Sequence, residues 1–226
     1  MPITIQSCRY RAWPLTSLLL LVGFVTTASA EGHSPADPEL PDWRAAVERL
    51  EAAPRLRADF NEFRHTPARR NASRYTGVLR WDEKHGLSLA YAHPRAQTMV
   101  ISPESMRRFD EDGQERRLPQ GEETDLWTRM MLDIFALRVD AWPQDFDLEL
   151  LEDEGDAWTL HLRARSDGAF DGLLRAIEIS AEDNEIHTIT FQRDTRRRTE
   201  IRLQSLEKDV EWAPGEIQNA FPARDE

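Results

Sequence analysis

The sequence predicts an α+β domain, a strongly curved antiparallel sheet (an incomplete barrel) covered on its concave face by a lid of helices. Three observations carry this. Nine or ten short segments alternate apolar and polar residues, at a spacing of roughly a dozen. Turn residues separate most of them, so hairpins dominate over helical crossovers. Only two stretches have helical periodicity, and a sheet with one apolar face needs something to cover it.

The elements follow in order. Asp42 caps a helix in which Ala46, Val47 and Leu50 recur at helical spacing through Ala52, and Pro54 ends it. Leu56, Ala58 and Phe60 alternate with Arg55, Arg57 and Asp59, the pattern of a half-buried strand. After a polar loop at 66–73, Tyr75, Gly77, Leu79 and Trp81 alternate again. Asp82 to Gly86 reads as a hairpin turn into Leu87, Leu89 and Tyr91, a strand that His93-Pro94 closes. Residues 97–101 and Met106–Asp110 are two further strands, with turns at Ser102-Pro103 and at Glu111 to Gly113. Residues 125–139 form the second helix, where Leu126, Met130, Ile134 and Leu137 make one stripe and Trp127, Met131 and Phe135 widen it. Strands return at 146–150, 158–162, 173–179, 186–192 and 199–206, with acidic or glycine-bearing turns between them. Residues 211–226 read as a loosely attached tail, which leaves a single domain over 42–210.

The first 30 residues stand apart. Arg9 and Arg11 precede an apolar run from Leu15 to Thr27, and Ala28-Ser29-Ala30 is a small-x-small cleavage signal. A retained anchor is the alternative to a cleaved signal peptide, but the run is short for a bilayer span. Cleavage after Ala30 removes both arginines and the single cysteine, Cys8. It leaves 196 residues (226 − 30) at a net charge of −14, against −12 for the whole chain. Without cysteine, such a chain must rely on its core in an oxidising compartment, here expected to be the periplasm. Residues 31–41 carry three prolines and read as a flexible lead-in. A mean hydropathy of −0.63 excludes a multi-span membrane protein, and the acidic balance argues against unaided nucleic-acid binding.

Chemistry-bearing motifs are sparse. No nucleophile elbow, phosphate loop, dinucleotide-binding glycine pattern or metalloprotease helix occurs. His85 and His93 flank one strand without a further ligand at metal-like spacing. His161 and His187 alternate with the apolar set and face solvent. The carboxylate clusters at Glu111-Asp112, Glu122-Glu123 and 152–154 fall in turns. Neither a catalytic site, a metal nor a cofactor is expected. The basic run Arg196–Arg198 fits either contact with an anionic lipid or acidic partner, or a charged edge strand that resists aggregation. Tyr75, Leu79, Trp81, Leu87, Leu89, Tyr91, Met99 and Ile101 share one sheet face. The second helix adds Trp127, Met130, Met131 and Ile134. From pattern alone these residues read first as core. Met-rich surfaces also suit repacking around apolar ligands.

Several segments resemble the LolA-like family of periplasmic outer-membrane lipoprotein carriers. Leu56–Phe63 (LRADFNEF) is similar to its opening strand of the type ADFTQ, and Gly77-Val78-Leu79-Arg80-Trp81 to its G-x-L strand. Leu87–Pro94 (LSLAYAHP) resembles F-x-W-x-x-x-x-P. Gln97–Ser102 and Arg108-Phe109-Asp110 resemble the strands that follow. Trp158-Thr159-Leu160 and Ile189-Thr190-Phe191 sit where the family has its later strands. The similarity covers most of residues 45–206.

The resemblance implies a LolA/LolB-like half-barrel whose cavity holds acyl chains, closed by helices and without catalysis. It implies a monomeric shuttle for an acylated lipid or lipoprotein between an inner-membrane donor and an outer-membrane acceptor. The cavity would be lined by Phe60, Tyr75, Leu79, Trp81, Leu87, Leu89, Tyr91, Met99, Ile101, Trp127, Met130, Met131, Ile134 and Leu160. An interaction or sensor module that binds a protein partner on the same fold is the alternative. Two departures mark the chain. Glu83, within Asp82-Glu83-Lys84, stands where the family has the arginine that holds the lid closed. Ser102-Pro103-Glu104 replaces its glycine turn. Both point to a divergent branch with a different cargo.

Overall fold

The computed structural model describes residues 42–50, 52–152 and 157–222, all within the unit Glu39–Glu226. The expected signal peptide and lead-in lie outside the described residues. Helix α1 (Trp43–Glu48) starts where the Asp42 carboxylate accepts from the Arg44 backbone N–H at 2.9 Å. The strands are β1 (Arg55–His65), β2 (Ser73–Asp82), β3 (Gly86–His93), β4 (Gln97–Ser102), β5 (Ser105–Phe109) and β6 (Glu115–Arg116). Helix α2 (Glu122–Phe135), a 3-10 turn (Val139–Ala141) and helix α3 (Trp142–Asp145) follow. The remaining elements are β7 (Phe146–Glu152), β8 (Trp158–Ala164), β9 (Ala176–Glu182), β10 (Glu185–Gln192), β11 (Arg198–Lys208) and helix α4 (Glu216–Ala220).

The eleven strands among the described residues form one antiparallel sheet in the order β6-β5-β4-β3-β2-β1-β11-β10-β9-β8-β7. It ends at β6 and β7 and does not close. Register places Phe60 beside Leu203, Leu79 beside Leu89, Leu89 beside Met99 and Ile189 beside Ile179, so alternate residues from both halves share one face. They join one core cluster with Ala46 and Val47 of α1, Leu50 just beyond it and the buried stripe of α2. One helix can touch both halves only if the sheet wraps around it, which is the expected curved sheet with helical cover.

Helix α2 begins three residues earlier than its apolar stripe predicts and ends four residues sooner. Gly121 adopts φ +140°, which L side chains rarely take, and Glu122, Glu123 and Asp125 then occupy the first turn. At the other end Leu137 turns left-handed (φ +50°) and stops the helix. Residues 173–175, read as strand, belong to a loop instead. It tucks Phe170 and Leu174 into the core, with Phe170 stacked on Phe146 at 5.1 Å. β9 therefore starts at Ala176.

The loosely attached tail is corrected by the structure, where residues 211–222 pack on the convex face. Ile217, Ala220 and Phe221 cover Val100 and Phe109. Glu216 bridges Arg57 (2.5 Å) and Arg80 (2.8 Å). Trp212 donates its indole N–H to Asp82 at 2.9 Å, and Arg107 donates to the Pro222 carbonyl at 2.7 Å.

Burial opposes the Glu216 charge, but the Arg80 and Arg57 hydrogen bonds outweigh it and pull the carboxyl down to about 2. Asp82 is lowered too: burial opposes its charge, and Trp212 and His85 outweigh that. A depressed folded pKa stabilises above the unfolded value and is lost as pH falls. Docking is therefore expected to hold above about pH 4.5 and to fail between there and about pH 2. Tryptophan emission should shift in that window, and the shift should vanish in Trp212→Phe. An unchanged spectrum down to pH 2 would refute this anchoring.

Candidate functional site: an apolar cavity under helix α2

The main cavity opens where the N-terminal half of α2 stands off the concave face. It is an open cleft of about 520 Å³, within the roughly 300–1,000 Å³ of sites that bury small ligands. Leu89, Tyr91, Met99, Ile101 and Met106 line it from β3–β5, Phe191 and Ile201 from β10 and β11, and Trp127 and Met131 from α2. Trp127 meets Phe191 edge-on at 5.7 Å, tying helix to sheet. Three methionines give this lining an adaptable surface.

Six of the fourteen expected residues line this cavity: Leu89, Tyr91, Met99, Ile101, Trp127 and Met131. The other eight sit elsewhere. Phe60, Leu79, Leu87 and Leu160 are closed in the core. Met130 and Ile134 face a separate crevice of about 90 Å³ with Trp142, Phe146 and Phe170. Trp81 borders a polar cleft near Glu83 and Arg138. Tyr75 packs beside Tyr91 at 6.1 Å, outside the lining. The physical reason is how closely each half of α2 packs on the sheet. The C-terminal half of α2 leaves separate, smaller clefts, and the larger space lies beneath the N-terminal half.

Sequence pattern missed the polar members. Glu62 continues the inward alternation of Leu56, Ala58 and Phe60, yet it is charged and only 3% exposed. Tyr91 donates its hydroxyl to Glu62 at 2.7 Å, and Arg64 donates to the other carboxylate oxygen. Arg64 also stacks over Tyr75 at 4.3 Å. Burial opposes the Arg64 charge, but Glu62 more than offsets it and holds the guanidinium protonated. Burial, then the Glu62 charge, push the Tyr91 phenol well above its ordinary value. Tyr91 is thus a fixed donor at neutral pH. Parity was the available signal, since residue 62 had to face inward. Across the opening, Arg193 bridges Glu123 at 2.8 Å and lies 5.9 Å from the Trp127 ring. This pair links the end of β10 to the first turn of α2.

Among the described residues, no group of three or more His, Cys, Asp or Glu side chains is placed to hold a metal. The titratable groups on the cavity wall are tied to one another. The arrangement can enclose an apolar chain and offer guanidinium groups to a polar end.

No protein-family model matches this chain, and no curated protein matches it. Solved structures resemble it. A LolA superfamily protein from Nitrosomonas europaea is 10% identical over 77% of this chain and 96% of its own, at a TM-score of 0.40. A Vibrio parahaemolyticus structure described as a putative outer membrane lipoprotein-sorting protein domain is 12% identical over 79% and 94%, at 0.43. A chain of the Pseudomonas aeruginosa MucA/MucB complex is 13% identical over 77% of this chain and 59% of its own, at 0.43. The chain is similar to these in outline, while its own strand order and cover establish its fold.

Proposed function

We propose that this protein is a carrier that holds the acyl chains of a lipid or lipoprotein in the cavity beneath α2. It would act in the periplasm and pass cargo from an inner-membrane donor to an outer-membrane acceptor. The observation that carries the reading is the cavity of about 520 Å³, walled by Met99, Ile101, Met106, Trp127, Met131 and Phe191. Each methylene buried there contributes about 0.8 kcal/mol, so one long chain binds without needing charge contacts. The neighbouring core residues of both sheet halves keep the wall in place. The Arg193–Glu123 link is the contact that must open for α2 to lift.

A fluorescent fatty acid tests this. Bound ligand at about a hundred times its Kd should stabilise the fold by about 2.7 kcal/mol. Met99 is half-buried on the wall. Met99→Asp should lower affinity at least about tenfold, because it forces a charge against the chain, and circular dichroism should stay unchanged. If the probe neither binds nor raises the melting temperature, the carrier reading fails and a protein-binding role on the same fold takes its place.

A further inference from the structure

We propose that the end of the sheet at the cavity mouth is a membrane-docking surface, which seats the opening on a bilayer rich in anionic lipid headgroups. Sheet order and strand direction put three turns side by side at that end. They are β3–β4 with Arg95, β1–β2 with Arg69 and Arg70, and β10–β11 with Arg196 and Arg197, which leads into Arg198. All six arginines are exposed. Arg95 and Arg197 reach Glu111 and Asp194. Arg69, Arg70, Arg196 and Arg198 have no acidic partner among the described residues.

Three features make this more than a solvated charge run. First, the chain carries −12 overall, so clustered arginine at one end is a local reversal of sign. The opposite end shows the contrast, with Glu83, Glu104, Glu182 and Asp183 against Lys84 in or beside its turns, whereas at the arginine end the acidic residues Asp110 to Asp112 lie in the β5–β6 turn, to one side of the three basic ones. Second, β1 and β11 lie in the middle of the sheet, which removes the edge-protection reading of Arg196–Arg198. Third, the patch adjoins the cavity, because Arg64, Arg193 and Thr199 line its wall at the same strand ends. Guanidinium groups pair with phosphate in a bidentate fork, and clusters of basic side chains hold proteins on anionic leaflets. An acidic protein would satisfy the charges as well. The bilayer is favoured because an acyl chain leaving the cavity here avoids crossing water, a choice that rests on the carrier reading. The charge cluster itself does not.

Vesicle flotation of the purified chain tests the proposal, using phosphatidylcholine alone and with phosphatidylglycerol added. The parent is expected to float with the anionic vesicles only, and to be released as salt rises from about 0.02 to about 0.3 M. The variant Arg70→Gln/Arg196→Gln/Arg198→Gln, carrying the same N-terminus, should partition about a hundredfold less. It should keep the parent's melting temperature and its affinity for the fluorescent fatty acid. Equal binding to both vesicle types, or an unaffected triple variant, would overturn the proposal. So would retention on an acidic polypeptide without vesicle binding. The fatty-acid readout fails separately if only the carrier reading is wrong.

Discussion

Gly77→Ala is expected to destabilise the protein by about 3 kcal/mol or more, enough to unfold much of it at 37 °C. A Cβ at residue 77 would lie 2.2 Å from the Ala90 carbonyl oxygen and 2.9 Å from the Phe60 ring. The first contact is with backbone, which cannot swing aside. Gly77 sits opposite Tyr91, next to a register shift between β2 and β3. The missing side chain lets the Phe60 and Tyr91 rings meet edge-on at 5.1 Å above the sheet. Urea unfolding of the variant measures the cost. A midpoint shift worth less than about 1 kcal/mol would mean that the two strands separate more freely than this packing allows.

Arg64→Ala is expected to be the second most damaging change, at about 2–3 kcal/mol. Removing one partner of a buried ion pair costs about 3–5 kcal/mol, because the other charge is stranded. The lower range applies here because the Arg64 side chain is 40% exposed and water can enter. Glu62, at 4% side-chain exposure, would keep only the Tyr91 hydroxyl. Glu62→Gln should cost less, about 1 kcal/mol, since the guanidinium it releases can turn to solvent. Denaturant midpoints of both variants decide the matter. If Glu62→Gln costs more than Arg64→Ala, the carboxylate is not the stranded group.

These two sites show what could be read in the residues and what could not. Alternation placed Leu79, Trp81, Leu87 and Leu89 on one face, and the register agrees. It could not show which of them a helix would seal. That depends on where α2 starts and stops, and therefore on Gly121 and Leu137 at its ends. Glu62 obeys the same parity, but a polarity pattern discards a charged residue at an inward position. Its partner Tyr91 is 29 residues away. The docking of the C-terminal segment is hidden for a related reason. Ile217, Ala220 and Phe221 are too few to make a periodic stripe. What holds them is long-range: Glu216 set between arginines of two different strands, Trp212 on Asp82 and Arg107 on the Pro222 carbonyl.

The central seam between β1 and β11 bears on how the chain reaches its fold. Asn61 and Gln204, which hydrogen-bond across it, are 143 residues apart. The two halves of the sheet are each built from local hairpins, yet their strands are joined only through the pairing of β1 with β11. Closing so long a loop is entropically costly and slow. A growing polypeptide therefore lacks its middle ladder until β11 has been synthesised. Premature collapse into the finished sheet is thus denied to every precursor that lacks β11.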